Sequence, residues 1–360
     1  MGNTCFKGSS AGSRYAARGG VGDDGDEYTD GYGGDGYALP QMHAGEGISG
    51  MCSGGPGIII TGGQDGSAAV WRWTKGSPGA LIHRWDAHPK PVTRVAHLPG
   101  ANRVLTACRD GLVRSWSPGD ETTPSTEFKG HALTVSGLAA LEDIGKACTG
   151  SRDYTVRLWD LETADCVQTS KISRNVVSFV RRIPGEKTVI QASEDLRLRI
   201  WDVRDFTTPA QTFEGHVNIP HCCDVSEDGN YVISSSNGFD DGAGCEVKVW
   251  DRRAGKVLRE MRGHGMSTNC CAVLTSPAAA AAAAAGGGAV ERGRSDGGEG
   301  GGFDDLKGSG GDGGGGGGGL EGMLVVSGST DRSVKVWNAG GVEGEECIAT
   351  HRFAGKGCAF

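Results

Sequence analysis

One spacing recurs along this chain without a single-residue slip. His43, His88 and His131 each stand twenty-two positions ahead of an aspartate, Asp65, Asp110 and Asp153. Each aspartate is followed six positions later by a tryptophan: Trp71, Trp116 and Trp159. Four positions before each aspartate is a threonine, Thr61, Thr106 or Thr149. A unit of forty-odd residues cannot bury a core by itself, so a fixed period of this size points to small units packed side by side. The third copy shows what the unit is. In Thr155-Val-Arg-Leu-Trp159, Val156 and Leu158 fall on one face of a strand, and Arg157 and Trp159 on the other. The Ser151-Arg-Asp-Tyr154 stretch before it reads as a tight turn whose aspartate accepts backbone hydrogen bonds. One four-stranded sheet per period, set around an axis, is an all-β β-propeller.

The recurrent polar residues are best read as structural. Histidine, hydroxyl, carboxylate and indole N–H can form one hydrogen-bonded relay, which satisfies groups that would each cost about 1–3 kcal/mol if buried unpaired. Later copies are looser. Repeat four keeps Asp195 and Trp201 but has Ser173 at the histidine position and Gln191 at the threonine position. Repeat five keeps His216 and Trp250, yet carries the loop Asn237–Gly244 where a tight turn belongs. Repeat six has His264, Ser327, Asp331 and Trp337, with sixty-seven residues between histidine and aspartate. Residues 277–321, an alanine run followed by glycines, account for the excess and read as a disordered insert within one blade. The expected organisation is an acidic, glycine-rich tail over 1–37 and a propeller over 38–360.

Composition narrows the function. A net charge of −8 argues against nucleic acid as the partner, because phosphate binding needs a basic stripe. The twelve cysteines include no C-x-x-C pair, no other His/Cys set has ligand spacing, and no phosphate-binding loop occurs. No cofactor, metal or catalytic residue is therefore expected. The start, Met1-Gly-Asn-Thr-Cys-Phe6, offers Gly2 for myristoylation and Cys5 for palmitoylation, two acyl chains that together make membrane attachment stable. It is similar to the starts of dually acylated signalling proteins, although Phe6 replaces the usual Ser or Thr. A cytoplasmic protein held at a membrane surface is the expectation.

Beyond the period, Ser173-Arg-Asn-Val-Val177, Ser193–Asp202, Val225–Gly229, Ser234–Phe239 and Gly244-Cys-Glu246 resemble the family of WD repeat-containing protein 31, over about residues 40–350. The likeness includes irregular features, namely the serine of repeat four and the Ser-Asn-Gly-Phe loop of repeat five. It implies a seven-bladed cytoplasmic propeller tied to assembly or trafficking in cilia or flagella, beside regulators of small GTPases. Six repeats are complete here, and Gly355–Phe360 reads as the start of a seventh. Either the product is cut short or the ring closes with six blades. The leading functional expectation is a non-enzymatic scaffold, with Phe239, Asp240 and Asp241 as a candidate contact. The alternative is a substrate receptor of a cullin-RING ubiquitin ligase, whose adaptor would meet Arg204 and Arg253 in the strings Trp201-Asp-Val-Arg204 and Trp250-Asp-Arg-Arg253.

Overall fold

The computed structural model describes residues 43, 47–74, 79–86, 88–119, 124–172, 174–239, 242–274, 320, 322–342, 344 and 346–352. Among them are six four-stranded sheets, each built from four strands consecutive in the chain. Blade 3 is representative: Val135–Leu141, Lys146–Ser151, Thr155–Asp160 and Cys166–Lys171 run antiparallel from the inner edge to the outer. The inner strands of blades 1, 2, 4, 5 and 6 are Ile48–Gly55, Val92–Leu98, Val177–Arg182, Pro220–Val225 and Thr268–Leu274. The seventh blade implied by the family resemblance is not among the described residues, and residues 353–360 lie outside them. The tail over 1–37 and, apart from Leu320, the insert over 277–321 also lie outside. The strands flanking that insert, Thr268–Leu274 and Leu324–Ser329, pair directly.

The strand alternation decides which blade each side chain meets. Trp159 packs back on Leu98, Leu105 and Phe128 of blade 2, while Val156 and Leu158 pack forward with Trp201 of blade 4. The same exchange places Trp116 on blade 1, Trp250 on blade 4 and Trp337 on blade 5. Five apolar clusters therefore join six blades in succession. None joins the sixth to the first among the described residues, and Met51 on the inner strand of blade 1 is exposed. Burying each of these tryptophans contributes about 1.5–3 kcal/mol or more from apolar area.

A second seam runs along the inner strands. Each begins with a register slip at its second residue, as between Ile48 and Gly50 or Val92 and Arg94. The slip turns the second side chain toward the next blade. Ser49 donates to the carbonyl of Val92, Thr93 to that of Val135 (2.5 Å), Ser136 to that of Val177, and Ser178 to that of Pro220 (2.6 Å). Blades taper inward, and glycine lets them meet: a Cβ on Gly150 would lie 2.3 Å from Val177 Cγ1.

Candidate interaction face

Inner strands descend from the histidine loops, and second strands climb back to the aspartate turns, so both sets of loops share one end of the propeller. There the structure brings the spaced residues together. Trp159 Nε1–H donates to Thr149 Oγ1 at 2.7 Å, and that hydroxyl lies 2.7 Å from His131 Nε2. His131 Nδ1 lies 2.9 Å from Asp153 Oδ2. A neutral imidazole that donates from Nδ1 to the carboxylate must accept at Nε2, so the threonine hydroxyl donates there. Blade 1 shows the same set, with Thr61 Oγ1 at 2.8 Å from both His43 Nε2 and Trp71 Nε1. In blade 6, Ser327 Oγ is 2.7 Å from both His264 Nε2 and Trp337 Nε1, and Asp331 is 3.1 Å from His264 Nδ1.

Each of these three sets has a fifth member that the twenty-two-residue spacing did not single out. The hydroxyl two residues after the aspartate, on Ser67, Thr155 or Ser333, contacts both the carboxylate and His Nδ1. Blade 2 has Leu112 at that place. Its relay differs accordingly: Arg114 donates to His88 Nδ1 at 2.8 Å and to Asp110 at 2.8 Å, so His88 and Asp110 do not bond directly. With Nδ1 accepting, His88 carries its proton on Nε2, 2.6 Å from Thr106 Oγ1, and Trp116 donates to the same hydroxyl. His88, Cys108 and Asp110 place possible ligand atoms within 4.8 Å of one another. A metal ion there would have to displace Arg114.

Blade 4 departs further from the sequence reading. Asn175, two residues beyond the expected position, replaces the histidine. Gln191 Nε2 donates to Asn175 Oδ1 at 2.5 Å and Gln191 Oε1 accepts from Trp201 at 2.7 Å, while Arg199 pairs with Asp195. A glutamine spans both roles because its amide has a donor and an acceptor. Ser173 lies outside the described residues. In blade 5, Ser234 Oγ links His216 and Trp250 at 2.8 Å each, and no aspartate joins among the described residues.

Burial dominates the titration of these groups. It pulls His88 down to about 4, with Arg114 adding to the effect, and His216 down to about 3, with Lys248 adding. Burial opposes ionisation of Asp331, yet hydrogen bonds from Ser333, Gly265 and His264 outweigh it and bring that carboxyl to about 2.

The same end of the propeller carries exposed apolar side chains on its loops: Leu133 (53%), Tyr154 (41%), Val217 (73%) and Phe239 (64%). Phe239 stands in the blade 5 loop, closed by its own N–H on Ala243 O at 2.9 Å; Asp240 and Asp241 lie outside the described residues. Arg204 and Arg253 follow third strands and therefore sit at the opposite end, both exposed. Asp202 holds the Arg204 guanidinium at 2.6 and 2.9 Å. Gly2 and Cys5 lie outside the described residues.

A residue unremarked in the sequence occupies the axis. Arg94, on the inner strand of blade 2, donates to the carbonyls of Ser49 (3.2 Å), Thr93 (2.7 Å) and Ser178 (3.2 Å), and its guanidinium lies 4.9 Å from the Phe179 ring centre. Gly50 and Gly137 stand at the equivalent place in blades 1 and 3 and leave it room. The signal was faint: one charge where the other inner strands have Gly, Phe or Cys.

The sequence profile of the WD40 family (WD domain, G-beta repeat) matches residues 79–117, 122–160, 207–251 and 320–338. Similar curated proteins include the nuclear distribution protein nudF of Aspergillus niger, 24% identical over 57% of this chain and 49% of its own length. The ribosome biogenesis protein WDR12 homolog of Drosophila virilis is 25% identical over 58% and 53%, and WD repeat-containing protein 37 of Xenopus laevis 27% over 50% and 38%. The chain thus spans about half the length of these relatives or less. The crystal structure of the WD40 β-propeller domain of Doa1 superposes with a TM-score of 0.60 at 17% identity, covering 86% of this chain and 83% of that one, a likeness of fold.

Proposed function

This chain is a WD40-repeat β-propeller, and we propose that it works as a non-enzymatic scaffold that binds other proteins through the end carrying the relays. One observation supports this reading most: Leu133, Tyr154, Val217 and Phe239 are all exposed on loops of that end, against a rigid frame. The relays are occupied in holding loops. Their histidines are buried and kept neutral, which suits support rather than proton transfer at the surface.

The finer proposal follows the likeness to WD repeat-containing protein 31: a partner from the trafficking machinery or the small-GTPase regulators of cilia or flagella, met at a membrane to which Gly2 and Cys5 are acylated. The second reading is a cullin-RING receptor; in its favour Arg204 and Arg253 are exposed at the same end of adjacent blades, and against it Asp202 already engages Arg204. Affinity capture with the full chain from flagellated cells tests these readings together. Val217→Ala with Phe239→Ala is expected to abolish partner capture while leaving the melting temperature within 2 °C or so, since truncating exposed side chains costs about 0.5 kcal/mol or less. Retained capture defeats the contact assignment. Labelled myristate that fails to enter the chain, with Gly2→Ala leaving membrane fractionation unchanged, removes the tether. An adaptor of cullin-RING ligases that co-purifies, and is lost with Arg204→Ala and Arg253→Ala, favours the second reading instead.

A further inference from the structure

The axis of the propeller opens at the relay end into a cavity of about 540 Å³. Among its lining residues are Arg94, Arg109, Arg152, Glu194 and His221. Three arginines against one glutamate give a local excess of positive charge, in a chain whose net charge is −8. Glu194 is taken up by Arg152, at 2.7 Å. Arg109 is exposed on the blade 2 turn and has no carboxylate partner among the described residues. Arg94 is the sharper case. Its guanidinium meets only carbonyl oxygens and an aromatic face, and its Nε is buried without any acceptor among the described residues. A guanidinium stays protonated in proteins, so this half-buried charge is left without a carboxylate partner among the described residues.

We propose that this mouth binds an oxyanion, the carboxylate or phosphate of a side chain on a partner's peptide segment, with Arg94 at its floor and Arg109 at its rim. The inference rests on the scaffold reading and deepens it by giving the ligand's chemistry. An anion there faces donors from blades 2 and 3, and from His221 of blade 5, which burial and nearby Arg94 keep neutral. Planar guanidinium forks match planar carboxylates and phosphate oxygens in pairs of hydrogen bonds. In a recess the attraction is screened less than on an open surface. Leu133 and Val217 stand beside Thr134 and Ile219 on loops that line the mouth, so a peptide presenting one anionic residue would meet apolar side chains on either side. That arrangement suits a segment of protein better than a free ion.

The test uses the full chain and three fluorescein-labelled heptapeptides identical except for the central residue: phosphoserine, glutamate or glutamine. Anisotropy titrations are expected to give at least tenfold tighter binding of an anionic peptide than of the glutamine peptide, with the difference shrinking as salt is raised. Preference for phosphoserine alone assigns a phosphate, for glutamate alone a carboxylate, and for both a general oxyanion site. Arg109→Ala and Arg94→Gln are each expected to bring the anionic peptide to within threefold of the glutamine one. Arg94 ties three blades together, so Arg94→Gln is read only if its circular dichroism and melting match the parent. Arg109, on an exposed turn, keeps the test decisive regardless. Three peptides that bind alike, or fail to bind, or an anionic preference that survives Arg109→Ala, overturn the proposal. If capture still depends on Val217 and Phe239 in that event, the scaffold reading stands and the oxyanion site alone is lost.

Discussion

Thr149→Val is expected to destabilise the protein by roughly 2 to 6 kcal/mol, although valine has nearly the same shape and more apolar surface. The hydroxyl of Thr149 is the acceptor for Trp159 and the donor to His131 Nε2, each at 2.7 Å. Thr149 is fully buried and Trp159 and His131 are buried beside it, so the orphaned groups lie away from bulk solvent. Two unsatisfied buried groups at about 1–3 kcal/mol each set the range. The effect is large because one oxygen serves two partners, one on the histidine loop and one on the third strand. Thr149→Ser keeps the hydroxyl and drops one methyl, so a loss of about 1 kcal/mol or less is expected. Urea unfolding of the three proteins checks this, and a Thr149→Val loss below about 0.5 kcal/mol would show that the relay carries little of the stability.

Mild acid is the second large lever. His88 sits near 4 in the folded chain and near 6.5 unfolded, and His216 is lower still at about 3. Above pH 6.5 both states are neutral and the groups add no pH dependence. As pH falls below 6.5 the unfolded chain takes up protons that the folded chain refuses, so stability declines until the folded histidines titrate. For His88 that loss accumulates to about 3 kcal/mol by pH 4. Carboxylates such as Asp331, near 2 when folded, contribute only below their unfolded values near 4, which leaves pH 5–6.5 diagnostic of histidine. Urea midpoints measured every half pH unit should fall through this window, and the slope should lessen in His88→Gln. A flat profile between pH 6.5 and 5 would mean that the buried imidazoles are not held neutral.

The period of histidine, threonine, aspartate and tryptophan made the blade legible, because each residue works at short range: the turn needs the aspartate, and the strand needs alternation. The same spacing misled in blade 4, where it pointed to Ser173 and the structure uses Asn175. A spacing rule counts residues along the chain. Hydrogen bonding counts distance in space, and a loop of slightly different path delivers a different side chain to the same point. Leu112 makes a like case in blade 2: losing one hydroxyl recruits Arg114 and moves the His88 proton to its other nitrogen.

From the residues alone came the sheet type, the size of the unit, the buried role of the tetrads and the presence of an exposed Phe239 loop, all of which depend on neighbours within a few dozen positions. Only the assembled tertiary structure decided that Leu133, Tyr154, Val217 and Phe239 share one end while Arg204 and Arg253 share the other. Likewise Arg94 became a site only when carbonyls forty-five and eighty-four residues away converged on it. The electrostatics of such a point is a sum over groups gathered from three blades, and no local pattern in the chain encodes that sum.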